Sequence, residues 1–155
     1  MGSICLLAPV PEEHLRSGLI TLQQVDKVAF GSRAWEVFRK LDSLIEPAKK
    51  CEALVYASDA SIVTSSPMVT WRATYVGHTE SVNGRHRDGM KYRPESTGAY
   101  TSDNQGHWAI FWEVEDLCPM EKSEYLPIAE LLGYDQPRRY LKNFIPRGPL
   151  VVEKA

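Results

Sequence analysis

The chain has 155 residues and a formal net charge of −2 at pH 7. That balance excludes a wholly basic surface that coats nucleic acid, but it leaves room for a local cationic patch. A hydrophobic content of 43% and a charged content of 25% are those of an ordinary soluble globular protein, expected as a single domain over 1–155. Cys5, Cys51 and Cys118 are too few and too far apart for a disulfide framework or a zinc site. No apolar run approaches the length of a membrane span and no signal-peptide pattern opens the chain, so a reducing, cytoplasmic setting is expected. Neither a metal nor a cofactor is implied.

In chain order, Ile4-Cys5-Leu6-Leu7-Ala8 is an apolar run closed by Pro9 and Pro11, and it predicts a buried strand. One helical turn is expected over 12–16, before Gly18. Thr21, with Gln24 three residues on, has the form of a capping box. Leu22, Val25 and Val28 or Ala29 follow at helical spacing toward a stop at Gly31. A second helix is predicted with Ser32 as its cap, Trp35, Phe38, Leu41 or Asp42, and Ile45 on its buried stripe, and Pro47 as its end. Residues 53–58 read as a strand buried on both sides, and 59–67 as a Ser-rich linker.

Two strand-like runs then face each other, over 69–76 and 107–117. Val69, Trp71, Ala73 and Tyr75 share one parity in the first. In the second, Trp108, Ile110, Trp112 and Val114 share a face, with Phe111, Glu113 and Glu115 on the other. Between the runs lies an insert, 77–106, far longer than a hairpin needs and studded with turn residues such as Asn83-Gly84 and Asp88-Gly89. It carries Arg85-His86-Arg87-Asp88-Gly89-Met90-Lys91-Tyr92-Arg93, four cations to one carboxylate. Past Pro119, Ser123 is a plausible cap for a helix with Tyr125, Ile128, Leu131 and Leu132 on one stripe and Gly133 at its end. A short helix with Tyr140, Leu141 and Phe144 apolar is expected after Asp135 and Pro137, and 150–152 as a closing strand. The expected fold is α+β: a small mixed or antiparallel β-barrel with flanking helices and one long polar insert.

This element order resembles the PUA-like superfamily, and within it the EVE and ASCH domains. EVE domains carry a Trp-x-Gly-Val-Arg-Asn motif where their first long helix opens. The comparable stretch here is Phe30-Gly31-Ser32-Arg33-Ala34-Trp35, in which Gly31 and Arg33 correspond and the Asn is absent. The ending, Pro146-Arg147-Gly148-Pro149-Leu150-Val151-Val152, is similar too. The resemblance implies a PUA-like pseudobarrel with a pocket at its mouth that holds a nucleobase, often a modified one, against aromatic side chains.

Arginine forks suit phosphate oxygens, so Arg85, Arg87, Lys91 and Arg93 are the expected phosphate contacts, with Tyr92 as a stacking face among them. The competing reading is a solvated loop. Trp71 and Trp112, mid-strand on the apolar parity, are expected to line the ligand cleft together with Arg33 and Trp35; the alternative for any tryptophan is a place in the core. His78, His86 and His107 lack metal-ligand spacing, and no nucleophile elbow is present, so no catalytic residue is assigned. The favoured partner is a nucleic acid or nucleotide, DNA and RNA being undivided. Alternatives are a small hydrolase acting on RNA or a modified nucleoside, and a protein-interaction domain whose insert folds on its partner.

Overall fold

The computed structural model describes residues 3–58, 66–136 and 138–154. Nine strands are formed there: β1 (Ser3–Val10), β2 (Val28–Ser32), β3 (Cys51–Ala57), β4 (Met68–Val69), β5 (Trp71–Glu80), β6 (Ile110–Pro119), β7 (Leu126–Pro127), β8 (Leu132–Gly133) and β9 (Leu150–Lys154). Helix α1 (Glu12–Gln24) lies between β1 and β2, and α2 (Trp35–Leu44) between β2 and β3. Seven strands make one sheet in the order β2-β6-β5-β3-β1-β9-β8, while β4 and β7 pair separately. Only β1 and β3 run parallel within it, because α1, β2 and α2 form the crossover between them. The class is α+β, as expected. The sheet is not closed into a barrel: β2 and β8 are its two outer strands and do not pair with each other.

Alternation sorts the strand residues between two cores. Leu6, Ala8 and Val10 of β1, Ala53 and Val55 of β3, Trp71, Ala73 and Tyr75 of β5, and Ile110, Trp112 and Val114 of β6 share one cluster with Leu15 of α1 and Phe38 and Leu41 of α2. The opposite face of β1 and β3, through Cys5, Leu7 and Leu54, meets Val69, Ile128 and Leu131.

Three predicted elements come out differently. Residues 28–31 form a strand rather than the end of a helix, because Val28 and Phe30 enter the core while Ala29 is covered from the other side. Tertiary burial on both faces outweighs the helical spacing. Helix α1 begins earlier, after Pro11, with Glu12 and Glu13 in its first turn complementing the helix dipole. Gly18 does not interrupt it, and Thr21 lies in its last turn, its hydroxyl donating to the Ser17 and Arg93 carbonyls at 3.4 and 3.3 Å. Ser32 ends β2, and its hydroxyl oxygen accepts the Ala34 N–H at 3.0 Å, so Ala34 rather than Ser32 precedes α2.

The predicted C-terminal helices are absent. Residues 120–136 instead run through single 3-10 turns, Lys122–Glu124 and Ile128–Glu130, and the short strands β7 and β8. Ile128 and Leu131, read as a helical stripe, are buried because that extended path lays them on the second core. The predicted linker at 59–65 and the Pro137 start of the last helix lie outside the described residues.

Candidate functional site

The insert expected over 77–106 starts later, because β5 runs on to Glu80, and the segment 81–109 that joins β5 to β6 folds back over the outer face of β6. Its first turn is a two-residue hairpin in which Val82 and Arg85 exchange backbone hydrogen bonds of 2.8 and 3.1 Å. Asn83 (φ 54°) and Gly84 (φ 78°) occupy the two positive-φ positions, as a type I′ turn requires. The next residues turn inward. His86 is 4% exposed and lies against Phe111, ring centroids 5.4 Å apart. Its Nδ1 accepts the Asp88 N–H at 3.0 Å, so the proton of the neutral ring sits on Nε2 and is donated to Glu113 at 2.9 Å. Lys27 reaches the other Glu113 oxygen at 3.0 Å. Burial pushes the Glu113 carboxyl up, but the hydrogen bonds from His86 and Lys27 outweigh it and hold the group below its ordinary value.

Arg93, expected on phosphates, is an internal strut, only 2% exposed. Its guanidinium donates to the Ala29 carbonyl (2.8 Å), the Asn104 side-chain oxygen (3.0 Å), and the Asp103 carbonyl and carboxylate (3.0 and 3.3 Å). Burial lowers its pKa to about 10, partly countered by Asp103, and it stays charged at neutral pH. The Ala29 N–H donates to the Tyr92 carbonyl at 2.8 Å, so the insert satisfies the outer edge of β2 where a further strand would pair. Tyr92 is half-buried between the Lys27 and Lys91 ammonium groups, 4.8 and 5.1 Å from its ring. Arg85, Arg87 and Lys91 are exposed.

Asp103 connects this anchor to a cleft. Beyond its bond to Arg93, its carboxylate accepts the Trp108 indole N–H at 3.3 Å. The Trp108 indole lies across the backbone of Gly31, where a Cβ would fall 2.3 to 2.5 Å from three ring atoms, so only glycine fits. Trp108 and Trp112 line a cleft of about 290 Å³, completed by the β2–α2 junction at Arg33, the end of β1 at Pro9, and Arg147 ahead of β9. Among the described residues two arginines and no carboxylate line it. The arginines that form ion pairs among the described residues are Arg16, Arg72 and Arg93, which leaves Arg33 and Arg147 uncommitted.

Of the expected cleft residues, Trp112 and Arg33 come together there. Trp112 is 2% exposed, packed on Phe30 and stacked on Phe38. Trp71 is a core residue, 1% exposed, its indole N–H donating to Glu12 at 3.1 Å. Trp35 stands 47% exposed at the start of α2, under the Arg39 guanidinium at 4.9 Å, beside a different cleft. Trp108, assigned to the apolar face of β6, precedes that strand and forms the cleft wall; the available signal was Gly31, a glycine two residues before Arg33.

Burial raises Cys5 to about 11 and Cys51 to about 12, so neither thiol is a ready nucleophile. Among the described residues no cluster of three His, Cys, Asp or Glu could hold a metal ion, and no helix is long and apolar enough to cross a membrane. Compared with family models, with curated proteins and with solved structures, the chain matches none.

Proposed function

We propose that the chain is a nucleic-acid- or nucleotide-binding module that takes a base, modified or not, into the cleft between Trp108 and Arg147. One observation carries this reading: among the described residues, two tryptophans and two arginines outside any ion pair, with no carboxylate, line a cleft in a chain of net negative charge. Indole beside guanidinium groups favours a flat ring bearing an anionic group. The exposed Arg85, Arg87 and Lys91 then extend the cationic side, toward phosphates outside the cleft. On this reading the curled sheet is the open counterpart of a PUA-like pseudobarrel, with the ligand where the resemblance to EVE and ASCH domains implies it. The hydrolase alternative needs a general base or nucleophile at the ligand, and among the described residues no His, Cys, Asp or Glu lines this cleft.

The test is fluorescence anisotropy or calorimetry with mononucleotides and short oligonucleotides. Trp108→Ala should weaken binding by roughly 5- to 150-fold, the range that loss of one aromatic–base stack produces. Arg33→Ala with Arg147→Ala should weaken nucleotides but spare the corresponding nucleosides. Equal affinity of wild type and Trp108→Ala for every ligand would remove the reading.

A further inference from the structure

A second cleft of about 350 Å³ lies across the wall of the first, lined by Trp35, Arg39, His78, Glu80, Ser81 and Ala109. The partition between the two is one backbone thick. Ala34 faces the first cleft and Trp35 the second, and Trp108 and Ala109 divide in the same way. Consecutive Cα atoms are only about 3.8 Å apart. The Ala109 N–H donates to the Ser32 carbonyl at 3.0 Å, which fixes the partition.

The second cleft has its own aromatic platform and its own prepared polar group. Trp35 is 47% exposed, and Arg39, one helical turn on, sits over its ring. His78 Nδ1 lies 2.8 Å from Asp42 Oδ2, while the other Asp42 oxygen accepts the Tyr75 hydroxyl at 2.6 Å. A carboxylate only accepts, so Nδ1 carries the proton and Nε2 of the neutral ring is the acceptor. Among the described residues no fully buried side-chain nitrogen or oxygen lacks a partner, and the side-chain hydrogen bonds of His78 run through Nδ1, so Nε2 is not sealed from solvent. His78 lines this cleft with its ring held through Nδ1 and Nε2 free to accept. The charge here is mixed, Arg39 against Glu80, unlike the doubly cationic first cleft. Such a lining suits the donor and acceptor edge of a neutral base, with Arg39 left for a connecting phosphate.

We propose that the ligand is single-stranded nucleic acid of at least two nucleotides, one base against Trp108 and its neighbour stacked on Trp35, with His78 Nε2 accepting from the second base. The proposal rests on the reading of the Trp108 cleft and adds the class of ligand. The two clefts share the partition formed by 34–35 and 108–109, so on this proposal a free mononucleotide fills half of the site. A duplex, whose bases are already stacked and paired, offers nothing for Trp35 to stack on.

The experiment titrates the full chain with the four mononucleotides, with randomised single-stranded hexamers of RNA and DNA, and with duplexes of the same length. Wild type should bind single-stranded hexamers about 5- to 150-fold tighter than mononucleotides. Trp35→Ala should abolish that gain, Trp35→Phe should restore most of it, and Arg39→Ala should reduce the salt slope on hexamers by about 0.7. Hexamers bound equally by wild type and Trp35→Ala, with Trp108→Ala still defective, would overturn the second cleft alone. Duplexes bound as well as single strands would also overturn it. Binding of no probe would overturn both this proposal and the reading on which it rests.

Discussion

The insert over 81–109 and the segment over 120–149 both cover the sheet without long elements of their own, and they are fastened by opposite means. The second is held by apolar burial: Ile128 and Leu131 seal one core, Tyr140 and Phe144 pack against it, and Arg138, Arg139, Lys142 and Arg147 remain outside. The insert is held by buried charge, through Arg93 on Ala29, Asp103 and Asn104, and through His86 and Lys27 on Glu113. Apolar burial is non-directional and tolerates exchange of one hydrophobe for another. A guanidinium with four fixed acceptors positions what it holds, and here that includes Asp103, the residue that orients Trp108. The polar fastening lies where a cleft wall must be placed.

The comparison can be broken by conservative replacement. Leu131→Ala and Arg93→Ala should each be severe, at about 2–5 kcal/mol for a cavity in a core and about 3–5 kcal/mol for a buried charged pair losing one partner. The informative variants are Leu131→Met, expected within about 1.5 kcal/mol of wild type, and Arg93→Met, which fills similar space yet takes the guanidinium's hydrogen bonds from the Ala29 and Asp103 carbonyls and its charge from the Asp103 carboxylate. Denaturant midpoints measure both. An Arg93→Met protein as stable as Leu131→Met would show that the guanidinium fills space rather than fastens the insert.

The two fastenings also differ in their response to acid. Glu113 is held below its ordinary value of 4.5, so its contribution is fully present above that value and is lost as pH falls through the lower folded value. Chemical unfolding followed from about pH 6 to about pH 3 should show stability falling more steeply in wild type than in Glu113→Gln. Parallel profiles would mean that Glu113 contributes nothing pH-dependent to the insert's anchoring.

What the sequence made legible follows from the same contrast. Alternation in β5 and β6 placed Trp71, Ala73, Tyr75, Ile110 and Val114 on a buried face, because a two-residue period leaves few other solutions for β-branched and aromatic runs. The stripe of Phe38 and Leu41 located α2 for a similar reason. The period failed over 28–31, where burial on both faces erases it, and over 123–133, where Ile128 and Leu131 keep helical spacing along an extended path. Within the insert, nothing local separates Arg93 from Arg85 and Arg87. All three stand in the same polar run, and the inward one is identified by partners distant in sequence or beyond the next turn: Ala29, Asp103 and Asn104. Trp108 escaped in the same way, since its place on Gly31 is a contact across the chain.

The mildest test separates those arginines. Arg85 and Arg87 are exposed and lie outside the arginine ion pairs, so replacing both with Ala should shift stability by no more than about 0.5 kcal/mol, against several for Arg93. If they contact phosphates, each lost contact should flatten the dependence of log K on log salt by about 0.7 on a single strand and about 0.9 on a duplex. Affinity should fall for all sequences alike, because phosphate contacts carry no base information. Tyr92→Ala is the internal control: its ring is already flanked by Lys27 and Lys91, so it should leave the salt slope unchanged. An unaltered slope in the Arg85 and Arg87 variant would confine the ligand to the clefts beside Trp108 and Trp35. The insert would then act only by placing Trp108, and its outward cations would serve solubility.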